Sequence, residues 1–165
     1  MKTYYLAEFK YPTKSYCCIW YSGEVDGFQT ENNALVYFDS FEEAKQYCAQ
    51  HEIRYVEDEV SKDDIGKVEQ WLSDGGGEDV DCDLLLRFWN SVTDLAATFG
   101  IEYIGNERMY TNIYEKLFYG NNLPTINTSG RTYISKWTEG ELLALKEIID
   151  IGVNLFAESF ERYGA

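Results

Sequence analysis

The sequence holds one histidine, His51, and four cysteines, Cys17, Cys18, Cys48 and Cys82. Any Ser-His-Asp or Cys-His nucleophile would have to use His51, because a neutral hydroxyl or thiol needs a base within hydrogen-bond reach. Cys48 lies three positions before it, but no Gly-x-Ser-x-Gly elbow is present. A histidine that closes a helix is accounted for by its partial positive charge against the terminal carbonyls. Cys48-x-x-His51 would give two zinc ligands from one helical face, with Cys17 or Cys18 and Cys82 completing a set. Structural zinc is held by paired, short-spaced ligands, and the second pair is missing. Gly75-Gly76-Gly77 lacks the Lys-Ser/Thr of a phosphate loop, and the carboxylates of Glu78, Asp79, Asp81 and Asp83 that follow would repel phosphate. Asp79-x-Asp81-x-Asp83 opens like a calcium loop, but its sixth and twelfth positions are Leu84 and Asn90 where glycine and glutamate are required. The expectation is no metal and no cofactor. A carboxylate pair for glycoside hydrolysis is a matter of geometry, since 29 acidic residues allow many pairs.

Negative charge, by contrast, is concentrated. The chain carries −15, from 14 Lys and Arg against 29 Asp and Glu. Residues 57–83 hold Glu57, Asp58, Glu59, Asp63, Asp64, Glu69, Asp74, Glu78, Asp79, Asp81 and Asp83 against Lys62 and Lys67, which is −9 from 27 residues and leaves −6 for the other 138. Crowded like charge destabilises a fold by self-repulsion, and an even spread would serve solubility as well. A focused acidic face steers a basic partner and pairs with its Arg and Lys side chains. The candidate partner-binding residues are therefore Glu57, Asp58, Glu59, Asp63, Asp64, Asp74, Glu78, Asp79, Asp81 and Asp83, with Trp71 as an aromatic anchor among them. The plain alternative is a solvated helix face with Trp71 turned into the core.

The elements that would position these residues read as strands first and helices after. Residues 3–10 and 15–21 alternate and are rich in aromatic and β-branched types, as is the run 34–38. Ser40 and Glu43 form a capping box opening a helix to about His51, and residues 53–56 read as a returning strand. Ser61 followed by Asp64 signals a second helix carrying Ile65, Val68 and Leu72, ended at the triglycine. Asp79 or Asp81 caps a longer helix with Leu84, Leu85, Phe88, Val92, Leu95 and Phe99 on one stripe, closed by Gly100. Met109, Ile113 and Leu117 mark a helix over 107–119. After a loop at 121–130, residues 131–135 read as a brief strand. Thr138 and Glu141 form another capping box for a last helix with Leu142, Leu145, Ile149, Val153, Phe156 and Phe160. Gly152 inside it costs about 1 kcal/mol relative to alanine and points to close packing. The fold class is α+β: a small N-terminal antiparallel sheet with one helix, then a mainly helical C-terminal part packed on it.

Length and composition fit one domain over residues 1–165, with a β-rich layer at 1–56 and a helical layer at 61–165. The adjacent Cys17 and Cys18 would point to opposite faces of a strand, and the four cysteines read as buried thiols of a reducing compartment. The first residues lack a secretory signal, and no apolar run reaches the ~18 residues of a membrane span. The reading is a cytoplasmic protein that contacts neither membrane nor nucleic acid directly, since its charge repels both.

Small size, acidity and an aromatic-rich make-up resemble immunity proteins of bacterial contact-dependent growth inhibition and other polymorphic toxin systems. The resemblance implies a protein that performs no reaction and neutralises a basic, nuclease-type toxin domain by covering its active or substrate-binding face. Two other functions compete. A DNA mimic of the anti-restriction kind would use carboxylates in place of phosphates, although clustering within 27 residues does not make a long DNA-like track. A carboxylate hydrolase would need a concave pocket with two converging acids of unlike environment.

Overall fold

A computed structural model describes residues 1–161 of the chain. Strands β1 (Thr3–Lys10) and β2 (Ser15–Ser22) form an antiparallel hairpin in which Ala7 lies opposite Cys18 and Leu6 opposite Ile19. Alternation divides their side chains between two cores. Leu6, Cys17 and Ile19 point to one face, Ala7, Phe9 and Cys18 to the other. Cys17 and Cys18 thus belong to different cores, and all four cysteines are buried and free.

The polar stretch after β2 is more structured than its composition suggests. β3 (Gly27–Phe28) pairs with β2, and β4 (Thr30–Glu31) pairs with β5 (Ala34–Leu35) across Asn32 and Asn33. Both asparagines have positive φ, 54° and 64°, the backbone that a tight two-residue hairpin turn requires. The single strand expected at 34–38 is therefore two: β5 serves this small hairpin, and β6 (Tyr37–Phe38) returns to pair with β2 at Cys18 and Cys17.

Helix α1 (Phe41–Gln50) starts at Ser40, whose Oγ accepts from the Glu43 amide at 3.3 Å. It covers one face of the sheet through Ala44 and Cys48. The chain then returns as β7 (Tyr55–Asp64), which pairs parallel to β1 and forms the edge of the sheet. This strand is longer than the expected 53–56. Its outer residues carry no strand-like apolar pattern, and only long-range pairing with β1, at Tyr55 and over Val60–Asp64, defines it. The sheet is consequently antiparallel except along this edge. A second consequence is that the next helix starts at Asp64 rather than Ser61: the Lys67 amide donates to Asp64 Oδ1 at 3.0 Å.

Helices α2 (Ile65–Ser73), α3 (Cys82–Phe99), α4 (Thr111–Gly120) and α5 (Glu139–Glu161) follow, and side chains from all four enter the core on the sheet's other face. Leu85, Phe88, Trp89, Val92, Leu95 and Ala96 give α3 a fully buried stripe at helical spacing. Asp81 caps α3, and Gly100 ends it in the left-handed conformation. Gly152 is the point where α5 crosses α3. A Cβ there would lie 2.7 Å from Val92 Cγ2 and 3.0 Å from Phe88 Cε2, so the absence of a side chain sets the helix spacing. The capping box of α5 is complete: the Glu141 amide donates to Thr138 Oγ1 at 3.1 Å, and the Thr138 amide donates to Glu141 Oε1 at 3.0 Å.

Two expectations fail in this half. The helix expected over 107–119 begins only at Thr111, after 3-10 turns at Ile104–Asn106 and Arg108–Tyr110, and Met109 is exposed. Residues 131–135 form no strand. The Asn122 side chain takes the place of a strand partner, accepting from the Tyr133 amide at 2.6 Å and donating to the Tyr133 carbonyl at 2.9 Å. Among the described residues, no helix is long and apolar enough to cross a membrane.

Candidate functional site

The acidic segment spans β7, α2, the loop after α2 and the start of α3. Along β7, Tyr55 pairs with Tyr4 and Val60 with Leu6. Residues 56–59 therefore stand opposite Tyr5 alone, and the ladder bulges outward. Glu57, Asp58 and Glu59 occupy that bulge, all exposed. Glu78 and Asp79 are exposed on the loop before α3. Asp74, at the end of α2, accepts from Gln70 Nε2 at 2.9 Å. Asp81 is exposed but committed to its cap, accepting from the Leu84 amide at 3.1 Å. Asp83 pairs with Arg87 at 3.1 Å, with both side chains about half exposed. No calcium-loop geometry arises from Asp79, Asp81 and Asp83. Among the described residues, no cluster of three or more His, Cys, Asp or Glu side chains is placed to hold a metal ion.

Three of the sequence-derived candidates sit apart from this exposed set. Asp64 is half-buried as the α2 cap. Trp71 is half-buried against the main core, and its indole N–H donates to the Gly77 carbonyl at 3.4 Å. It fastens the triglycine turn, in which Gly76 has φ +61° and leaves room only for the stem of Lys146. Asp63 is 5% exposed and turned inward; it is no part of a surface patch.

Asp63 instead enters a groove that the sequence did not disclose. Ser91 Oγ on α3 donates a hydrogen bond to Asp63 Oδ2, and Trp20 Nε1 on β2 donates to Asp94 Oδ2 at 2.8 Å. Both carboxyl groups line one cavity of about 170 Å3 with Trp20, Phe28, Arg87 and Asn90. Burial pushes Asp94 up to about 6, with the charges of Asp26 and Asp63 adding to the rise and the Trp20 hydrogen bond opposing it. Burial also raises Asp63, against the lowering effects of the Ser91 hydrogen bond and the Arg87 charge. The only local signal was the polar stripe Asp83, Arg87, Asn90, Ser91 and Asp94 along α3, spaced to fall near one side of a helix. His51 and Cys48 do not converge on any such site. Cys48 is buried between α1 and the sheet, while His51 is exposed and stacks on Tyr47 with ring centroids 4.0 Å apart.

Comparison with known proteins adds no identity. No protein-family model, curated protein or solved structure matches the chain. The site must be read from its own geometry.

Proposed function

We propose that this protein is a binding module of the immunity type, which captures a basic toxin domain and inhibits it by occlusion, with no reaction of its own. The observation that carries the reading is uncompensated surface charge. Two ion pairs occur among the described residues, and only Asp83–Arg87 involves the acidic segment. Glu57, Asp58, Glu59, Glu78 and Asp79 are left exposed and facing water, available to the Lys and Arg side chains of a partner. The bulge in β7 supports the same reading, because it presents three consecutive carboxylates outside the ladder. A cytoplasmic location for the complex belongs to this proposal.

The test is affinity capture by this protein at low and raised salt, followed by binding measurements on the purified partner. The expected partner is one basic domain whose affinity falls with salt. Substituting Glu57→Gln, Asp58→Asn and Glu59→Gln together, and separately Asp79→Asn, Asp81→Asn and Asp83→Asn, is expected to weaken binding and flatten the salt dependence. Asparagine preserves the cap at 81. Unchanged affinity and slope in both triple variants would refute the acidic surface as the binding face, and capture of many unrelated DNA-binding proteins would replace immunity with DNA mimicry.

A second reading, carboxylate hydrolysis, is favoured by one observation, the meeting of Asp63 and Asp94 in one cavity. It is the weaker reading. The cavity of about 170 Å3 lies below the ~300 Å3 at which small-molecule sites begin, and both carboxyls already hold protein donors. Glycoside hydrolysis abolished by both Asp63→Asn and Asp94→Asn would reverse that order.

A further inference from the structure

A second cavity differs in character from the acidic surface. It occupies about 440 Å3 between the end of α4 and the segment that follows, within the range of small-molecule sites. Its walls are Phe118, Tyr119, Leu123, Ile126 and Tyr133, and Arg131 is its one charged lining residue. Exposed large apolar side chains are otherwise scattered singly along the chain, at positions such as Val25, Ile101 and Met109, whereas Tyr119, Leu123, Ile126, Tyr133 and Ile134 are all exposed within this short stretch.

Charge in this region also reverses. Between Glu115 and Glu139 the sequence has no acid, only Lys116, Arg131 and Lys136, in a chain of net charge −15. Lys116 is engaged by Glu141 at 2.7 Å. Arg131 is exposed, and its guanidinium has no carboxylate partner among the described residues.

The segment is held in shape by side-chain amides. Asn122 Oδ1 accepts from both the Tyr133 amide and Asn127 Nδ2, the latter at 2.8 Å. Asn127 Nδ2 also donates to the Arg131 carbonyl at 2.7 Å, and Ser129 Oγ donates to Asn127 Oδ1 at 2.7 Å. Polar groups are thus satisfied within the loop, while its apolar groups and one guanidinium surround an open cavity. That division is characteristic of sites where apolar walls bind and a few polar groups orient.

We propose that this cavity binds a small carboxylic acid with an apolar body, the body lying between Leu123, Ile126 and Tyr133 and the carboxylate on Arg131. A planar guanidinium pairs with a carboxylate through two parallel hydrogen bonds, which gives orientation as well as attraction. The site is independent of the acidic surface and selects the opposite sign of charge.

The experiment uses three probes with one apolar body and different charge: 4-phenylbutyrate, 4-phenylbutanol and 4-phenylbutylamine. Each is titrated into the intact protein and followed through amide and Asn side-chain nuclear magnetic resonance shifts. The expected result is binding of the butyrate with shifts confined to residues 118–133, about tenfold tighter than either of the others. The net charge of −15 would by itself favour the amine, so non-specific attraction cannot imitate this order. Arg131→Gln is expected to remove the preference for butyrate over butanol, and Ile126→Ser, which shortens the apolar wall without adding charge, to weaken the butyrate and the butanol alike; both positions are exposed, and an unchanged amide spectrum outside residues 118–133 checks that each variant is folded. The proposal is overturned if no probe binds, if the amine binds as tightly as the butyrate, if the shifts fall elsewhere, or if the preference survives Arg131→Gln. None of these outcomes bears on the capture of a basic protein.

Discussion

Replacing Asp94 by asparagine should stabilise the protein, and by an amount that depends on pH. Asp94 rises from 3.8 to about 6 on folding, chiefly because burial disfavours its charge. A shift of about two units at ~1.4 kcal/mol per unit is ~3 kcal/mol. Because the groove is open to water at one side, screening brings this to ~1–2 kcal/mol. The sign follows from proton linkage. Between the unfolded and folded values the native state holds more protons, so stability falls as pH rises through that window and the loss is complete above about 6. Asparagine carries no charge, and its carbonyl oxygen can still accept from Trp20 Nε1. It also relieves the repulsion that Asp94 shares with Asp63 and Asp26. The variant should therefore gain ~1–2 kcal/mol at about pH 8 and roughly half as much at about pH 5. The isoelectric point of about 4.3 sets the practical lower limit of the assay. Urea unfolding of both proteins at the two pH values, followed by circular dichroism, measures the difference directly. An asparagine variant that is no more stable at the higher pH, or a difference that is flat between the two, would refute the assignment of a penalised carboxylate to this groove.

Two further outcomes are expected. Gly152→Val places a branched side chain against Val92 and Phe88 and should lower stability by ~1–3 kcal/mol, read as a lower urea midpoint with an unchanged slope. Asn122→Ala removes the amide that holds Tyr133; hydrogen exchange at the Tyr133 amide should accelerate by about tenfold while exchange in the core of α3 is unchanged, because the loss is local.

The parts of the fold that were legible in the sequence are those whose signals are local. Ser40, Asp81 and Thr138 announce their helices through a side-chain oxygen set against a free amide three residues on. The alternation of β1 and β2 assigns Leu6 and Ala7 to opposite cores without knowledge of the partners. β7 was largely hidden. Its middle, Glu57–Lys62, is exposed throughout, and what makes it a strand is a partner some fifty residues earlier. The same blindness extended to the site. An isolated Asp63 in a run of acids looks like another surface charge, and only the docking of β7 beside α3 turns it toward Ser91. Trp71 was legible as important but not in what way, since its role depends on the return of the chain at Gly77. Residues 121–130 read as an ordinary polar loop and 131–135 as a brief strand, until Asn122 and Asn127 are seen to bond inward and leave the apolar residues outside.

The position of β1 in the sheet also governs the order in which the chain can assemble. One edge of β1 is satisfied at once by β2, across a four-residue link. The other edge waits for β7. During synthesis, a strand as aromatic as Thr3–Lys10 therefore carries a row of unpaired amides and carbonyls until Asp64 has emerged. A chain halted before that point would display an adhesive border, and a fragment of residues 1–54 should associate with itself rather than remain monomeric. Docking of β7 replaces that border with one whose ladder is broken and negatively charged at Glu57–Glu59. The bulge thus acts as a gatekeeper against edge-to-edge growth, a protection the growing polypeptide acquires only when its last strand arrives.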